Sequence, residues 1–209
     1  MQILENEFMS KHTSFKVGGP ARYFVKVNSI ESLKNALSFA REKHLPHFIL
    51  GNGTNLLVSD KGYDGLIISL AGDFSEIVDL GNGKFKVGAA TPLGRFARHT
   101  LKQGYAGIHK LAGIPGTLGG AVYMNAGAYG QEIADTLVSI DVYDVATGTF
   151  RTLTHGELGF SYRHSILNTT EYGRYFVISV TLELHPGQMQ RPFYNSIERY
   201  IEEHNLMDF

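Results

Sequence analysis

The chain has 209 residues, of which 43% are hydrophobic and 19% are charged, and its formal net charge is −1. This composition is ordinary for a globular protein of one domain or two small ones. The near-neutral charge gives no electrostatic basis for binding nucleic acid or an anionic membrane. The lack of cysteine excludes disulfides, thiolate metal sites and cysteine nucleophiles. Because no apolar run has the length of a membrane span and no signal peptide is recognisable, we expect a cytoplasmic protein.

The first third of the chain predicts a βαββ unit. The stretch "RYFVKV" (22–27) has the composition of a strand. A helix is predicted to follow it, with Asn28 and Glu31 forming a capping box. Its apolar residues recur at helical spacing and are Ile30, Leu33, Leu37 and Ala40. The stretch "HFILGNGTNLLVSD" (47–60) predicts two short strands around a glycine turn, and "GLIISL" (65–70) predicts one more strand.

A hairpin and a second helix are predicted next. The stretches "SEIVDL" (75–80) and "KFKVGAA" (84–90) flank Gly81-Asn82-Gly83, which is a strong hairpin signal. The following helix is predicted to have Thr91 as its N-cap, Pro92 in its first turn and Gly104 just beyond its end. Its expected apolar face is Leu93, Phe96, Ala97, Thr100 and Leu101.

The rest of the chain predicts three strands and a final helix. The strand segments are "LVSIDVYDV", "TFRTL" and "RYFVISVTLELH", and no internal repeat is visible. The final amphipathic helix is predicted from Phe193, Ile197, Tyr200 and Ile201. We therefore expect an α+β protein with an N-terminal α/β lobe over residues 1–72 and a larger α+β lobe over residues 73–209.

The segment "GNGTN" (51–55) has the form of an anion-binding nest. Its glycines leave backbone N–H groups able to converge on a phosphate, and Thr54 and Asn55 add polar side chains. It is not a Walker loop, since no Gly-Lys-Ser/Thr follows, and it departs from the dinucleotide fingerprint because Leu56 stands where a glycine should. A tight turn between two strands explains the same residues, so both interpretations stay open.

The segment "GIPGTLGGAVYMNAGAYG" (113–130), here called the glycine run, has six glycines and no charged residue. Pro115 fixes one turn, and Gly116, Gly119 and Gly120 leave a surface without side chains. Such a surface suits a flat ring or a pyrophosphate, but it equally permits close packing of strands or helices. Two uncharged glycine-rich segments in one short chain favour a large ligand with phosphates and an aromatic plane.

The third candidate is "GFSYRHS" (159–165). Arg163 could bind a carboxylate or a developing oxyanion, because a guanidinium stays protonated and donates two parallel hydrogen bonds. A surface salt bridge is the simpler alternative. The nine histidines are scattered and predict no metal site.

Four stretches occur in the order and spacing of one known family. They are "HTSFKVGGPARYFV", "LGNGTNLLVSDKGYDGLII", "LAGIPGTLGGAVYMNAGAYGQEI" and "FSYRHSIL", within residues 12–185. The chain thereby resembles the UDP-N-acetylenolpyruvoylglucosamine reductase (UDP-N-acetylmuramate dehydrogenase) family. The resemblance implies a two-lobed FAD-binding fold of the vanillyl-alcohol-oxidase type with non-covalent FAD. The cofactor-binding residues that it implies are Gly51, Asn52, Gly53, Thr54, Asn55, Leu56, Ile114, Pro115, Gly116, Gly119, Gly120, Ala121, Gly127 and Ile178.

The resemblance also implies a reaction. NADPH would reduce the flavin, and the flavin would reduce the enolpyruvyl double bond of a UDP-sugar in peptidoglycan synthesis. Arg163 would bind the substrate carboxylate and stabilise the enolate, and Tyr162 would lie close to the substrate. Ser165 belongs to the same motif and is not expected to be the proton donor.

The family pattern has a further lobe with a serine proton donor and a glutamate, for which this sequence has no matching stretch. Three hypotheses follow from this difference. The chain could be an active reductase, a flavin-binding module that has lost the substrate reaction, or a structural or interaction domain that binds no flavin. The sequence does not indicate the oligomeric state.

Overall fold

The computed structural model describes residues 1–187 together with the isolated residues 199 and 203. The predicted face of the C-terminal helix (Phe193, Ile197, Tyr200 and Ile201) lies outside the described residues. The helices of residues 1–187 are α1 (Ile30–Glu42), α2 (Leu93–Lys102) and α3 (Leu118–Tyr123). No helix in the described part of the chain is long and apolar enough to cross a bilayer.

The first sheet has four strands in the order β1-β2-β4-β3. The strands are β1 (Ile3–Phe8), β2 (Pro20–Val27), β3 (His47–Leu50) and β4 (Tyr63–Leu70). Strands β2 and β3 both run parallel to β4, and β1 is antiparallel to β2. The predicted βαββ unit is therefore present as β2-α1-β3-β4, with β1 as an unpredicted addition at its edge.

The predicted cap of α1 is one residue too early. The N-cap is Ser29, which has extended backbone (φ −148°, ψ 166°), and its hydroxyl accepts a hydrogen bond from the Ser32 N–H at 3.3 Å. The Ser32 hydroxyl in turn accepts a hydrogen bond from the Ser29 N–H at 3.0 Å, which completes a capping box between Ser29 and Ser32. Asn28 and Glu31 therefore do not form the capping box, because the chain enters the helix at Ser29.

The second sheet has five antiparallel strands in the order β11-β10-β12-β6-β5. Its strands are β5 (Ile77–Gly81), β6 (Lys84–Gly88), β10 (Leu137–Asp144), β11 (Thr149–Thr154) and β12 (Tyr175–Glu183). Four further strands have two residues each: β7 (Tyr105–Ala106), β8 (Gly127–Ala128), β9 (Gln131–Glu132) and β13 (His185–Pro186). Strand β13 pairs with β7, and β8 pairs with β9. The predicted hairpin between β5 and β6 is confirmed, and Gly81, Asn82 and Gly83 all have positive φ.

The start of α2 differs from the prediction. Thr91 is not the N-cap, because Pro92 takes that position and no side chain caps the helix. Pro92 stays extended (ψ 130°) since it pairs with Thr117 of the glycine run in an antiparallel bridge. The Leu93 N–H donates to the Gly116 carbonyl at 2.9 Å, and the Leu118 N–H donates to the Thr91 carbonyl at 2.9 Å. Tertiary pairing with the glycine run thus decides where this helix begins.

The two sheets share a hydrophobic core. Buried Tyr143 of β10 and Phe176 of β12, together with Phe74 from the segment between β4 and β5, pack with Leu33 of α1 and Ile68 of β4. Strand β4 ends at Leu70 and β5 begins at Ile77, so the chain passes from one sheet to the other between them. A domain boundary at residue 72 stays a prediction.

Candidate functional site

The two glycine-rich segments meet in the folded chain. A Cβ atom on Gly51 would lie 2.8 Å from Oγ1 of Thr117, and one on Gly116 would lie 3.5 Å from Oγ1 of Thr54. Gly51 follows the last residue of β3, and Thr117 is the N-cap of α3. The fold therefore unites two segments that lie far apart in the sequence.

The segment after β3 is here called the nest segment (residues 51–57). The second of the two strands predicted within residues 47–60 does not form. Residues 51–55 form bends and a turn, and residues 56–58 belong to no helix or strand. Gly53 has φ +61°, and a Cβ on it would lie 2.1 Å from the His12 carbonyl oxygen, so only glycine fits there. Its own carbonyl accepts from the Ser14 N–H at 3.0 Å. The nest segment is thus fixed by residues 12–14, before β2, instead of by a sheet.

The amides of the nest segment are available to a ligand. Within residues 1–187, the backbone N–H groups of residues 52–57 donate to no protein acceptor. Gly53 is also a buried residue, and its N–H has no acceptor within residues 1–187, which makes a ligand acceptor favourable there. Consecutive unpaired amides beside a glycine at positive φ are typical of anion-binding loops. This favours the nest interpretation over a simple strand-to-strand turn.

A cavity of about 270 Å³ adjoins the nest segment. It is lined by Leu50, Gly51 and Asn52 at the end of β3, by Ser69 near the end of β4, and by residues 11–14. The carboxyl ends of parallel strands are the usual place for ligands in α/β units. Lys11 and His12 both contact Glu7, at 3.1 and 2.9 Å, and the hydrogen bonds from His12 and Lys11 lower the pKa of that carboxyl.

The glycines of the glycine run differ in what a side chain at each position would meet. Apart from the chain neighbours, no atom of the described residues lies within 4 Å of a Cβ on Gly113, and a Cβ on Gly120 would meet only the Thr117 hydroxyl among them, at 3.4 Å. Together with Gly116 they leave an open surface. Gly119 instead packs against Ala89, whose Cβ lies 2.9 Å from the Cβ position of residue 119. Ala121 is buried, so the run is both a packed element and an open face.

Arg163 lies at the glycine run rather than in a surface salt bridge. Its Nη1 donates to the Asn125 carbonyl at 3.2 Å and its Nη2 donates to the Gly127 carbonyl at 2.7 Å. A Cβ on Gly127 would lie 2.9 Å from the Gln131 carbonyl oxygen and 3.1 Å from Arg163 Nη1, so a side chain there would crowd both groups. Among the described residues no carboxylate pairs with Arg163. The guanidinium is therefore held by two neutral carbonyls and forms no ion pair with a carboxylate of residues 1–187.

Tyr162 and Ser165 flank Arg163 and differ sharply in environment. Tyr162 is 80% exposed, and the Arg163 guanidinium lies 5.2 Å from the centre of its ring. Ser165 is fully buried, donates to the Tyr123 carbonyl at 2.8 Å and accepts from the Leu167 N–H at 3.2 Å. Tyr162 is thus open to a ligand, whereas Ser165 fixes the loop.

Ile178 lies apart from the united glycine segments. It is the extra residue of a bulge in β12, since Ser179 pairs with Asp141 and Val177 with Val142. Its side chain lines a cavity of about 500 Å³ to which no residue of the nest segment or of the glycine run contributes. Its carbonyl accepts from the Ala89 N–H at 2.9 Å, which connects it only indirectly to Gly119. Contact of Ile178 with a cofactor stays a prediction.

Asn125 is a site residue whose importance the sequence reasoning missed. It is fully buried, has φ +41°, and its amide donates to Glu132 Oε2 at 2.7 Å and to the Ser161 carbonyl at 2.9 Å. Asparagine inside a glycine-rich run is a weak signal of left-handed backbone, which it tolerates better than most residues. Its partners could not be read from the sequence, because they lie 7 and 36 residues away.

These features fit the group that the resemblance implies. Unpaired amides at residues 52–57 suit a pyrophosphate, and the open face at Gly113, Gly116 and Gly120 suits a flat ring, because Cβ atoms there would fill that space. The two lie next to each other, since a Cβ on Gly51 would lie 2.8 Å from Oγ1 of Thr117. The chemistry of the residues present therefore matches FAD.

Comparison with known proteins agrees with this chemistry. A family model of the FAD binding domain matches residues 21–154. The UDP-N-acetylenolpyruvoylglucosamine reductase of Caldanaerobacter subterraneus subsp. tengcongensis is 40% identical over 200 residues, which are 96% of this chain and 63% of that protein. The crystal structure of the corresponding reductase from Thermus caldophilus is 36% identical with a TM-score of 0.72, covering 98% of this chain and 68% of that one.

More distant similarity concerns the fold alone. The crystal structure of 6-hydroxy-D-nicotine oxidase from Arthrobacter nicotinovorans has a TM-score of 0.64 at 15% identity, covering 88% of this chain and 42% of that one. The predicted FAD-binding α+β fold is thereby confirmed. The chain spans between 57% and 63% of the length of three curated reductases that it matches. On the family model and on the identity shared with the Thermus protein, this chain belongs to the UDP-N-acetylenolpyruvoylglucosamine reductase family and carries its FAD-binding domain.

Proposed function

We propose that this chain is the FAD-binding part of an NADPH-driven reductase that converts UDP-N-acetylglucosamine enolpyruvate into UDP-N-acetylmuramate for peptidoglycan synthesis. The contact of Gly51 with Thr117 is the main structural support, because it joins two surfaces suited to different parts of FAD. UDP-sugars and NADPH are cytoplasmic metabolites, so the proposal also places the protein in the cytoplasm.

The proposed division of labour within the cofactor site follows the chemistry of each segment. Residues 51–56 would bind the pyrophosphate, because their amides beyond Gly51 have no protein acceptor in the described structure. The glycine run would face the flavin through Ile114, Pro115, Gly116 and Gly120, with Gly119 and Ala121 supporting it from behind. Gly127 would act indirectly, by leaving room for the Gln131 carbonyl and the Arg163 guanidinium.

The reduction adds a hydride and a proton across the enolpyruvyl double bond. FAD, when bound, supplies the hydride transfer that protein side chains cannot perform, and NADPH supplies the electrons. Arg163 has five N–H donors. Two of them bind the Asn125 and Gly127 carbonyls, so the others remain for the substrate carboxylate. A fixed cation of this kind stabilises the enolate charge that develops during reaction, and exposed Tyr162 would contact the substrate.

A second candidate is a flavin-binding module without the substrate reaction. In its favour, Ser165 offers no substitute for the proton donor that the family pattern has elsewhere, because this buried hydroxyl already donates to the Tyr123 carbonyl. Tyr162 is 80% exposed, so residues 1–187 alone do not provide the enclosure that a water-sensitive reaction needs.

The test is a visible spectrum of the purified chain, first as isolated or loaded with FAD, then after anaerobic NADPH, and finally after the enolpyruvyl UDP-sugar. We expect a flavin spectrum that NADPH bleaches and the sugar restores. Bleaching without restoration would support the module without the substrate reaction. A chain that binds no added FAD would contradict both proposals and leave a structural or interaction domain.

A further inference from the structure

We propose that Asn125 is a positioning residue that, together with Arg163, forms a reciprocal latch between the glycine run and the turn at residues 161–164. The inference rests on the proposed function for its purpose, but its contacts are independent of any ligand. Asn125 Nδ2 donates to the Ser161 carbonyl at 2.9 Å. Arg163 Nη1 donates in the opposite direction, to the Asn125 carbonyl, at 3.2 Å. Each segment thus holds the other through a side chain and a main-chain acceptor.

The turn that carries Arg163 is tightly constrained. The Ser161 N–H donates to the His164 carbonyl at 3.2 Å, and the His164 N–H donates to the Ser161 carbonyl at 3.0 Å. Arg163 has φ +54°, a left-handed conformation that is unfavourable for a long side chain. Its own carbonyl accepts from Asn168 Nδ2 at 3.1 Å. Such strained backbone persists only where its surroundings over-determine it, as the latch does here.

The choice of asparagine at position 125 has a chemical reason. Both of its amide hydrogens are used, by Glu132 Oε2 and the Ser161 carbonyl, and its Oδ1 accepts from the Ala134 N–H at 3.3 Å. Aspartate would keep the shape but would place a second carboxylate against Glu132 and lose both donors. Glycine would keep the positive φ but leave these partners unpaired in a buried place.

The latch orients a charge that forms no ion pair with any carboxylate of the described residues. The hydrogen-bond partners of the Arg163 guanidinium are two neutral carbonyls, and no carboxylate within residues 1–187 pairs with it. An arginine held this way loses side-chain freedom before the ligand arrives, so the ligand need not order it. The latch therefore sets both the path of residues 124–127 and the direction of the unused N–H donors.

A double-mutant cycle tests this inference. The variants are Asn125→Gly, Arg163→Ala and the pair, with Asn82→Gly as the matched control. Asn82 also has positive φ (+54°) but lies in the exposed turn between β5 and β6. The measurements are the FAD dissociation constant, the visible circular dichroism of bound flavin, and the melting temperature without FAD. We expect each single variant to weaken FAD binding at least tenfold and the pair to be little worse than either.

Arg163→Lys is a milder substitution, and the variant protein should still fold. A lysine ammonium is a compact charge without the planar fork, so we expect partial rescue of FAD affinity and of the dichroism signal. Additive effects in the cycle, or an Asn125→Gly protein that behaves like Asn82→Gly, would overturn the latch. If even the wild-type chain failed to bind FAD, only the proposed function would be contradicted. The coupling between Asn125 and Arg163 would still be tested, because it must also appear in the melting temperatures of the proteins without FAD.

Discussion

Gly51 and Thr117 are in contact: Oγ1 of Thr117 occupies a point 2.8 Å from where a Cβ on residue 51 would lie. The same hydroxyl accepts from the Gly120 N–H at 3.3 Å as the cap of α3. A single threonine thus fixes the start of α3 and sets its distance from the end of β3. Any group larger than hydrogen at residue 51 must displace this hydroxyl.

We therefore predict that Gly51→Ala weakens FAD binding by roughly tenfold and destabilises the fold by about 1 kcal/mol, the usual cost of losing an N-cap. The measurements are FAD titration and urea unfolding. Gly156→Ala is the matched control, since no atom lies within 4 Å of its Cβ position. In a Thr117→Ala background the Gly51→Ala substitution should cost much less, because the group that it displaces is gone. If Gly51→Ala weakened FAD binding and stability equally in the wild-type and Thr117→Ala proteins, the contact between Gly51 and Thr117 would not determine the geometry of the site.

Two adjacent glycines should respond in opposite ways. Gly120 is exposed and faces open space except for the Thr117 hydroxyl, so Gly120→Leu should leave the apoprotein folded but abolish FAD binding. Gly119 packs on Ala89 at 2.9 Å, so Gly119→Ala should cost about 1–3 kcal/mol of stability by overpacking. Melting temperature and flavin content after reconstitution separate the two effects. A Gly120→Leu protein that retains full flavin content would show that the cofactor does not use this face.

The sequence predicted elements whose signals are local. The β5–β6 hairpin was predictable because Gly81-Asn82-Gly83 can adopt the positive φ values that its turn needs. The βαββ order followed from apolar periodicity in the same way. The stop of α2 at Gly104, which has φ +79°, is likewise a property of the residue itself.

The errors arose where distant segments decide the local structure. Thr91 has the chemistry of a cap, but the bridge from Pro92 to Thr117 moves the start of α2 past it. The strand expected after Gly53 is replaced by a segment that has no ladder partner within residues 1–187, which leaves its amides without acceptors in that part of the chain. Arg163 could be singled out from its motif, whereas its hold on the Asn125 and Gly127 carbonyls required the fold.

Ser165 should behave as a structural residue. Its hydroxyl is buried, donates to the Tyr123 carbonyl and accepts from the Leu167 N–H, so Ser165→Ala leaves two backbone groups unpaired. We expect a loss of about 1–3 kcal/mol in unfolding free energy, the penalty for a buried unsatisfied polar group. Urea unfolding gives this number, and flavin reduction by NADPH should proceed at the wild-type rate per bound FAD. A specific loss of substrate reduction at unchanged stability would instead make Ser165 a proton donor.

Acid stability should depend on Asp144, which is fully buried beside Arg174. Arg174 Nη2 donates to Asp144 Oδ2 at 2.9 Å, and the hydrogen bonds from Arg174 are the main cause that lowers the pKa of this carboxyl from its ordinary value of 3.8. A carboxyl with a lowered folded-state pKa contributes stability above its unfolded pKa. That contribution is lost as the pH falls through the folded value. The wild-type protein should therefore lose stability below about pH 3.8 as Asp144 is protonated.

Arg174→Gln should lower the melting temperature by several degrees at pH 7, and the difference from wild type should shrink as the pH falls below 4. The control is Arg22→Gln, since Arg22 also pairs with an aspartate, Asp64, but both side chains are largely exposed, at 52% and 85%. Exposed pairs contribute little, so the control should melt like the wild type at every pH. Thermal unfolding from pH 3 to pH 7 makes the comparison. A difference between Arg174→Gln and wild type that stays constant over this range would exclude the Asp144 carboxylate as its origin.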